Sequence, residues 1–176
     1  MLYEIKVVIK EIDPPIWRVI HVSSRTSLTR LHKILQKAMG WTNSHLHRFK
    51  VDGLLYGEPD PDWDYVLDEA KLTLDKVFAG GKKSFHYEYD MGDSWIHEIT
   101  LKKQFESEES KPVCIAGARA CPPEDCGGPS GYQNLLEAIS DPEHEEHEDL
   151  LEWVGEGYDP EAFDLATVNK SLSRLR

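Results

Sequence analysis

The stretch SLTRLHKILQKAM, residues 27–39, decides the fold. Leu28, Leu31, Ile34, Leu35 and Ala38 recur at the spacing of one helical face. Thr26 or Ser27 can cap its start, and Gly40 suits its end, where a left-handed residue closes a helix at little cost. Such a helix must bury its apolar stripe against something, and the flanking sequence reads as strands. Upstream, LYEIKVVIKEI (2–12) puts Tyr3, Ile5, Val7 and Ile9 on one face, with Glu4, Lys6 and Lys10 mostly on the other. Asp13-Pro14-Pro15 breaks this strand, since proline removes donors, and 17–22 returns as the second arm of a hairpin.

Downstream, residues 45–51 read as a strand closed by the turn pair Asp52-Gly53. Residues 54–66 are rich in Gly, Pro and Asp and read as loop, and 72–78 as a short helix or turn ended by Ala79-Gly80-Gly81. Residues 85–89 and 95–105 are strands joined by Asp90-Met91-Gly92-Asp93-Ser94. The fold class is therefore α+β: a mixed or antiparallel sheet in the order β-β-α-β-β-β, one main packed helix, and a C-terminal helical segment. The expected organisation is a single domain over 1–176. Within it, 1–105 forms the sheet and helix, 106–112 a charged link, 113–131 a Cys/Pro/Gly-rich loop and 132–176 a helical extension. Its helices are expected at 133–139, 144–154 and 165–175.

The 176 residues carry 20 basic and 32 acidic side chains, a net charge of −12, with 40% hydrophobic and 30% charged residues. That is the composition of a globular chain. No apolar run reaches the roughly 18 residues of a membrane span, and Met1 leads directly into strand pattern, so a cytoplasmic location without membrane contact is expected. The charge disfavours nucleic acid as a partner. Residues 106–110 and 141–152, however, hold ten of the acids and no Lys or Arg, whereas residues 1–50 carry nine Lys/Arg against three Asp/Glu. A nucleic-acid contact therefore stays open through 1–50.

All three cysteines, Cys114, Cys121 and Cys126, lie in one loop. With a histidine they could hold zinc, although the spacings are not those of a tight C-x-x-C knuckle; the alternative is that they are small buried hydrophobes. In the same loop Glu124-Asp125 stands between Pro122-Pro123 and Gly127-Gly128, so a rigid turn presents two carboxylates. They could hold a hard cation or a histidine, or simply cap the helix that follows.

His45 and His47 share a predicted strand face with Phe49 and Val51, while Trp95, His97, Ile99 and Leu101 share a face on the later strand. If the two strands are neighbours, His47 and His97 converge; otherwise both are core histidines. Asp90 and Asp93 sit in the turn beside the later strand. Imidazole with carboxylate is the composition of a divalent-metal or acid–base site, which makes His45, His47, Asp90, Asp93, Trp95, His97, Glu124 and Asp125 the candidates for one pocket.

Several other chemistries fail on spacing. His144-Glu145-Glu146-His147 places its histidines three apart where a zinc protease needs four, and Gly80-Gly81-Lys82 lacks the upstream glycine and following hydroxyl of a phosphate loop. There is no G-x-S-x-G or G-x-G-x-x-G.

Five segments together resemble the plasmid pRiA4b ORF-3-like family. They are Pro15-Ile16-Trp17-Arg18, Ala38-Met39-Gly40-Trp41, Ser44-His45-Leu46-His47-Arg48-Phe49, the run from Tyr87 to His97, and Cys121-Pro122-Pro123-Glu124-Asp125-Cys126-Gly127-Gly128. The resemblance spans nearly the whole chain. It implies a compact α+β domain and an association with mobile elements, and it supplies motif positions rather than catalytic residues. Cys121-Pro-Pro-Glu-Asp is typical of the family, whereas the position of Cys126 is often apolar.

The leading functional reading is a cytoplasmic binding module with a His/Asp/Glu-lined pocket for a protein, peptide or small ligand. A metal-dependent hydrolase-like enzyme, using zinc or another divalent metal, is the alternative. A mobile-element accessory protein contacting DNA is the third.

Overall fold

The computed structural model describes residues 1–155 and 157–175. Among them, eight strands form one mixed sheet: β1 (Leu2–Ile9), β2 (Trp17–Ser23), β3 (His47–Val51), β4 (Leu54–Gly57), β5 (Val66–Asp68), β6 (Ser84–Tyr89), β7 (Trp95–Phe105) and β8 (Val113–Ala118). The helices are α1 (Leu28–Met39), α2 (Leu74–Val77), α3 (Gly128–Ser140), α4 (His147–Val154) and α5 (Leu165–Ser173). Across the sheet the order is β5-β4-β3-β6-β7-β1-β2-β8. Only the β4–β5 pair is parallel. No helix among the described residues is long and apolar enough to cross a membrane.

The period-two pattern explains the two faces. Tyr3, Ile5, Val7 and Ile9 of β1 and Trp95, His97 and Ile99 of β7 are buried, while the alternate Glu4, Lys6, Ile96 and Glu98 are half-exposed. One face is therefore core and the other meets water, as an antiparallel sheet allows. Helix α1 belongs to the buried face, with Leu28, Leu31, Ile34, Leu35 and Ala38 inaccessible. Ser27 Oγ accepts the Arg30 N–H at 3.2 Å, and Gly40, at φ 107°, returns its N–H to Gln36 C=O at 3.0 Å. Helix α1 touches the sheet through polar groups as well. Tyr87 OH accepts from Gln36 Nε2 at 3.0 Å and meets His32 Nδ1 at 2.8 Å.

Arg18 pins the layers together. Its buried guanidinium donates to Ala38 C=O at the end of α1, and to the carbonyls of Trp17, Ala118 and Arg119, at 2.8–2.9 Å. The Phe163 ring lies 4.6 Å away. Burial lowers its pKa from the ordinary arginine value.

The sheet extends beyond the sequence expectation in two places. The start of 54–66 forms β4 and its last residue begins β5, a short sheet edge whose side chains are mostly half-buried, with no fully buried apolar residue to mark it. The first residues of the 113–131 loop form β8 at the opposite edge. There Asn169 of α5 replaces a further strand: its Oδ1 accepts the Cys114 N–H at 2.9 Å and its Nδ2 donates to the Cys114 C=O at 2.8 Å. The edge is thus closed by a side chain. Helix α3 starts at Gly128, five residues before the expected 133, with Pro129 in the first turn where its missing N–H costs nothing. Helix α4 starts at His147, because 141–146 are turns.

Candidate functional site

Three segments meet at one end of β3 and β6. They are the chain leading into β3 (41–46), the turn after β6 (90–94) and the loop entering α3 (121–128).

Asp90 organises the turn. Its N–H donates to Leu46 C=O at 2.9 Å, and its Oδ1 accepts the N–H groups of Gly92 and Asp93 at 3.0 and 3.3 Å. Both Asp90 (φ 55°) and Asp125 (φ 59°) have left-handed backbone, which aspartate tolerates better than most residues. The loop is clamped to the turn from the other side. Asp93 Oδ2 accepts the Gly127 N–H at 3.0 Å. A Cβ on Gly128 would stand 2.4 Å from Asp93 O, and Gly128 itself sits at φ +71°. Only glycine permits this approach.

Glu124 is held by its Oε1. That oxygen accepts from Thr42 N at 2.8 Å, Thr42 Oγ1 at 2.9 Å and Tyr89 OH at 3.0 Å. Tyr89 OH in turn accepts the Ser44 N–H at 2.9 Å. Burial raises the Tyr89 pKa, so the phenol stays protonated and donates.

The unanchored oxygens face His45. Its Nε2 lies 2.8 Å from Asp125 Oδ1, 3.5 Å from Asp90 Oδ2 and 3.9 Å from Glu124 Oε2. Yet His45 Nε2 and Glu124 Oε2 are both buried and neither has a hydrogen-bond partner among the described residues. Donor atoms on an ion at about 2.1 Å stand about 3 Å apart at right angles, so these separations suit a common cation. Among the described residues, the group of metal-capable side chains with donor atoms within 4.8 Å of one another is His45, Asp90 and Asp125. The Asp125 side chain is 67% exposed, so the group is open on its side. An open cavity of about 420 Å³, lined by Asn43, Ser44, His45, Leu46, His47 and Glu58, adjoins it.

The other candidates lie elsewhere. Asp93 serves the loop clamp. His47 turns inward, with Nε2 2.9 Å from Glu69 Oε2 and its ring stacked on His32 at 3.5 Å between centroids. Trp95 is fully buried. His97 is also fully buried: the Trp41 indole N–H donates to its Nε2 at 3.3 Å, and its Nδ1 lies 2.9 Å from Trp95 C=O. Burial pushes its pKa down to about 4. Strand β6 runs between β3 and β7, and the Tyr87 ring stands between the two histidines, 5.9 Å from His47 and 5.2 Å from His97.

Cys114 is buried on β8, while Cys121 and Cys126 are half-buried. Burial raises all three thiol pKa values, that of Cys126 to about 12. None belongs to the His45 group.

Thr42, Tyr89 and Glu69 escaped the sequence reading. Glu69 is 1% exposed and pairs with His47, but it sits in a polar run, Asp68-Glu69-Ala70-Lys71, that looks solvated. Thr42 follows Trp41 with no pattern of its own. Tyr89 alternates with Tyr87 and Phe85, which signals core rather than a ligand support.

The model of the plasmid pRiA4b ORF-3-like protein family matches residues 1–167. The chain is 41% identical over 175 residues to the uncharacterized protein y4hQ of Sinorhizobium fredii (strain NBRC 101917 / NGR234), covering 97% of this chain and 90% of that protein. It also resembles the crystal structure of a protein of unknown function, MM3350, from Methanosarcina mazei Go1. That match has a TM-score of 0.85 and 39% identity over 94% of this chain and 96% of the other.

Proposed function

The chain belongs to the plasmid pRiA4b ORF-3-like family, and from that premise we propose that it is a binding module whose working group is a divalent cation held by His45, Asp90 and Asp125, with the Glu124 carboxylate beside them. The observation that carries this reading is the convergence of three carboxylates on one imidazole nitrogen: Asp125 Oδ1, Asp90 Oδ2 and Glu124 Oε2 lie 2.8, 3.5 and 3.9 Å from His45 Nε2, and neither that nitrogen nor Glu124 Oε2 makes a hydrogen bond of good geometry among the described residues. Buried polar atoms are rarely left so, because each costs about 1–3 kcal/mol. Glu124 and Asp90 each spend one oxygen on backbone or hydroxyl donors and turn the other towards the imidazole. Such outer anchors orient ligands to a metal. One nitrogen and two carboxylates, with a third carboxylate beside them, make a hard set, suited to manganese, iron or zinc rather than to a thiol-seeking ion. The open side at Asp125 and the adjoining cavity leave the bound ion accessible to a small ligand or a partner's side chain.

Calorimetry on chelator-stripped protein tests this. Mn²⁺ or Zn²⁺ is expected to bind one to one, and Asp125→Asn, at the exposed member of the group, to weaken binding at least tenfold with little change in the stability of the ion-free protein. Absence of saturable binding by the native chain defeats the reading.

The exposed face at Asp125 also favours a second reading, a metal-dependent hydrolase-like centre, since a hydrolytic ion needs positions open to water and substrate. Ion-dependent turnover of an ester or phosphoester would separate it from simple binding. For a DNA-contacting accessory no comparable support exists: Arg18 is buried among carbonyls and Arg48 lies 2.5 Å from Glu88, which spends two of the bases in 1–50.

A further inference from the structure

The loop between β4 and β5, Gly57-Glu58-Pro59-Asp60-Pro61-Asp62-Trp63-Asp64-Tyr65, contains four carboxylates, two aromatic rings and no base. It encloses a second cavity, of about 140 Å³. The carboxylates of Glu58 and Asp60 and the rings of Trp63 and the largely exposed Tyr65 line it together with Leu46 and Met91. This cavity shares Leu46, His47 and Glu58 with the one beside His45, and it contains neither the three proposed cation ligands nor Glu124.

The loop is held in shape by its own backbone. Asp60 Oδ1 accepts the Asp62 N–H at 2.8 Å, Trp63 N–H donates to Asp60 C=O at 3.1 Å, and Val66 N–H donates to Trp63 C=O at 3.0 Å. The backbone that carries the rings, and the Asp60 carboxylate, are therefore placed before any ligand arrives. Arg48 also lines the cavity, but its Nε is engaged by Glu88 at 2.5 Å, which offsets its charge.

Chemistry narrows the occupant. An anion meets Glu58 and Asp60 together with the charge of the whole acidic loop. A neutral apolar group covers the rings but presses against carboxylates and strips water from them without return. An alkylammonium group satisfies both walls: its charge faces the carboxylates, and its methyl or methylene surface lies on the indole and phenol faces, which attract cations. We infer that this cavity is a recognition site for an alkylammonium group, of the quaternary-amine or lysine-side-chain class. It stands independently of the proposed metal centre.

Choline and its uncharged isostere 3,3-dimethylbutan-1-ol provide the test, titrated into the chelator-stripped full chain while the Trp63 indole N–H is followed by ¹H–¹⁵N NMR. Choline is expected to shift that resonance saturably and to bind about tenfold tighter than the isostere, the range of a partly desolvated cation–π contact. Trp63→Ala should weaken choline binding about tenfold, and Asp60→Asn severalfold, with the amide spectrum of the sheet unchanged in both. Equal affinity for the isostere, or shifts that never saturate, overturns the inference. Mn²⁺ binding by Trp63→Ala is measured alongside and should match the native chain. Loss of choline binding and loss of the cation centre are thereby told apart.

Discussion

Replacing His97 by glutamine should remove a defined part of the protein's acid sensitivity. His97 is fully buried between Trp41 and Trp95. An indole nitrogen only donates, so Nε2 must accept and Nδ1 must carry the proton given to the Trp95 carbonyl. A second ring proton would turn Nε2 against the Trp41 N–H in a fully buried site. The pKa accordingly falls from 6.5 to about 4, with desolvation the first cause. The sign follows from proton uptake. Below pH 6.5 the unfolded chain protonates this residue and the folded chain does not, so stability present at neutral pH is lost as pH falls from 6.5 towards 4. Each pKa unit is worth about 1.36 kcal/mol, which makes the loss between pH 7.5 and pH 5 about 2 kcal/mol for this side chain. Glutamine can keep an acceptor for Trp41 and a donor for Trp95 but does not titrate. Urea unfolding at both pH values, followed by tryptophan fluorescence, measures the difference, and contributions from other groups cancel between the two proteins. Glutamine is expected to cost about 1 kcal/mol at pH 7.5, from imperfect packing, and to shrink the acid loss by about 2 kcal/mol. An equal acid loss in both proteins would refute the buried neutral imidazole.

Arg18→Met leaves the carbonyls of Ala38, Trp17, Ala118 and Arg119 without their donor and should destabilise the fold by about 3 kcal/mol or more, read from urea midpoints. Gly128→Ala forces the loop away from Asp93 O and should weaken Mn²⁺ binding at least tenfold in calorimetry, with the circular dichroism of the sheet retained. The Cys126 thiol, raised from 9.0 to about 12 by burial first and by Asp93 next, carries at pH 8 about a thousandfold less thiolate than an unperturbed one. Its reaction with a disulfide reagent should be slower by a comparable factor in native than in urea-unfolded protein.

What was legible in the sequence follows from where burial is one-sided. Helix α1, the β1–β2 hairpin and β7 bury one face and wet the other, so periodicity marks them to within three residues, the largest difference being β1, which ends at Ile9 rather than 12. Strands β4 and β5 are only half-buried, with no side chain fully inside, and β8 is an edge whose outer partner is Asn169, fifty-five residues further along the chain. Neither situation leaves a local pattern. The beginning of α3 was hidden by Gly128-Pro129, residues that read as loop until the contact of Gly128 with Asp93 explains the glycine and the first-turn position explains the proline.

The site shows the same limit more sharply. Residue type alone brought forward His45, His47, His97 and five other side chains, yet which of them meet depends on strand order. Strand β6 enters between β3 and β7 and gives the space between His47 and His97 to Tyr87. His47 finds Glu69, His97 finds Trp41, and each takes a partner that neutral or paired burial requires. His45 lies just before β3, outside the strand's alternation, and that is why it alone faces the carboxylates of two distant loops. The sequence does hold a clue to this, in the left-handed residues: Asn43, Asp90 and Asp125 are residue types that tolerate positive φ, and each lies at or beside a candidate ligand. They are three of the seven non-glycine residues at positive φ among the described residues, so the backbone shape narrows the search for ligands only once the strand order has brought the turns of Asp90 and Asp125 together.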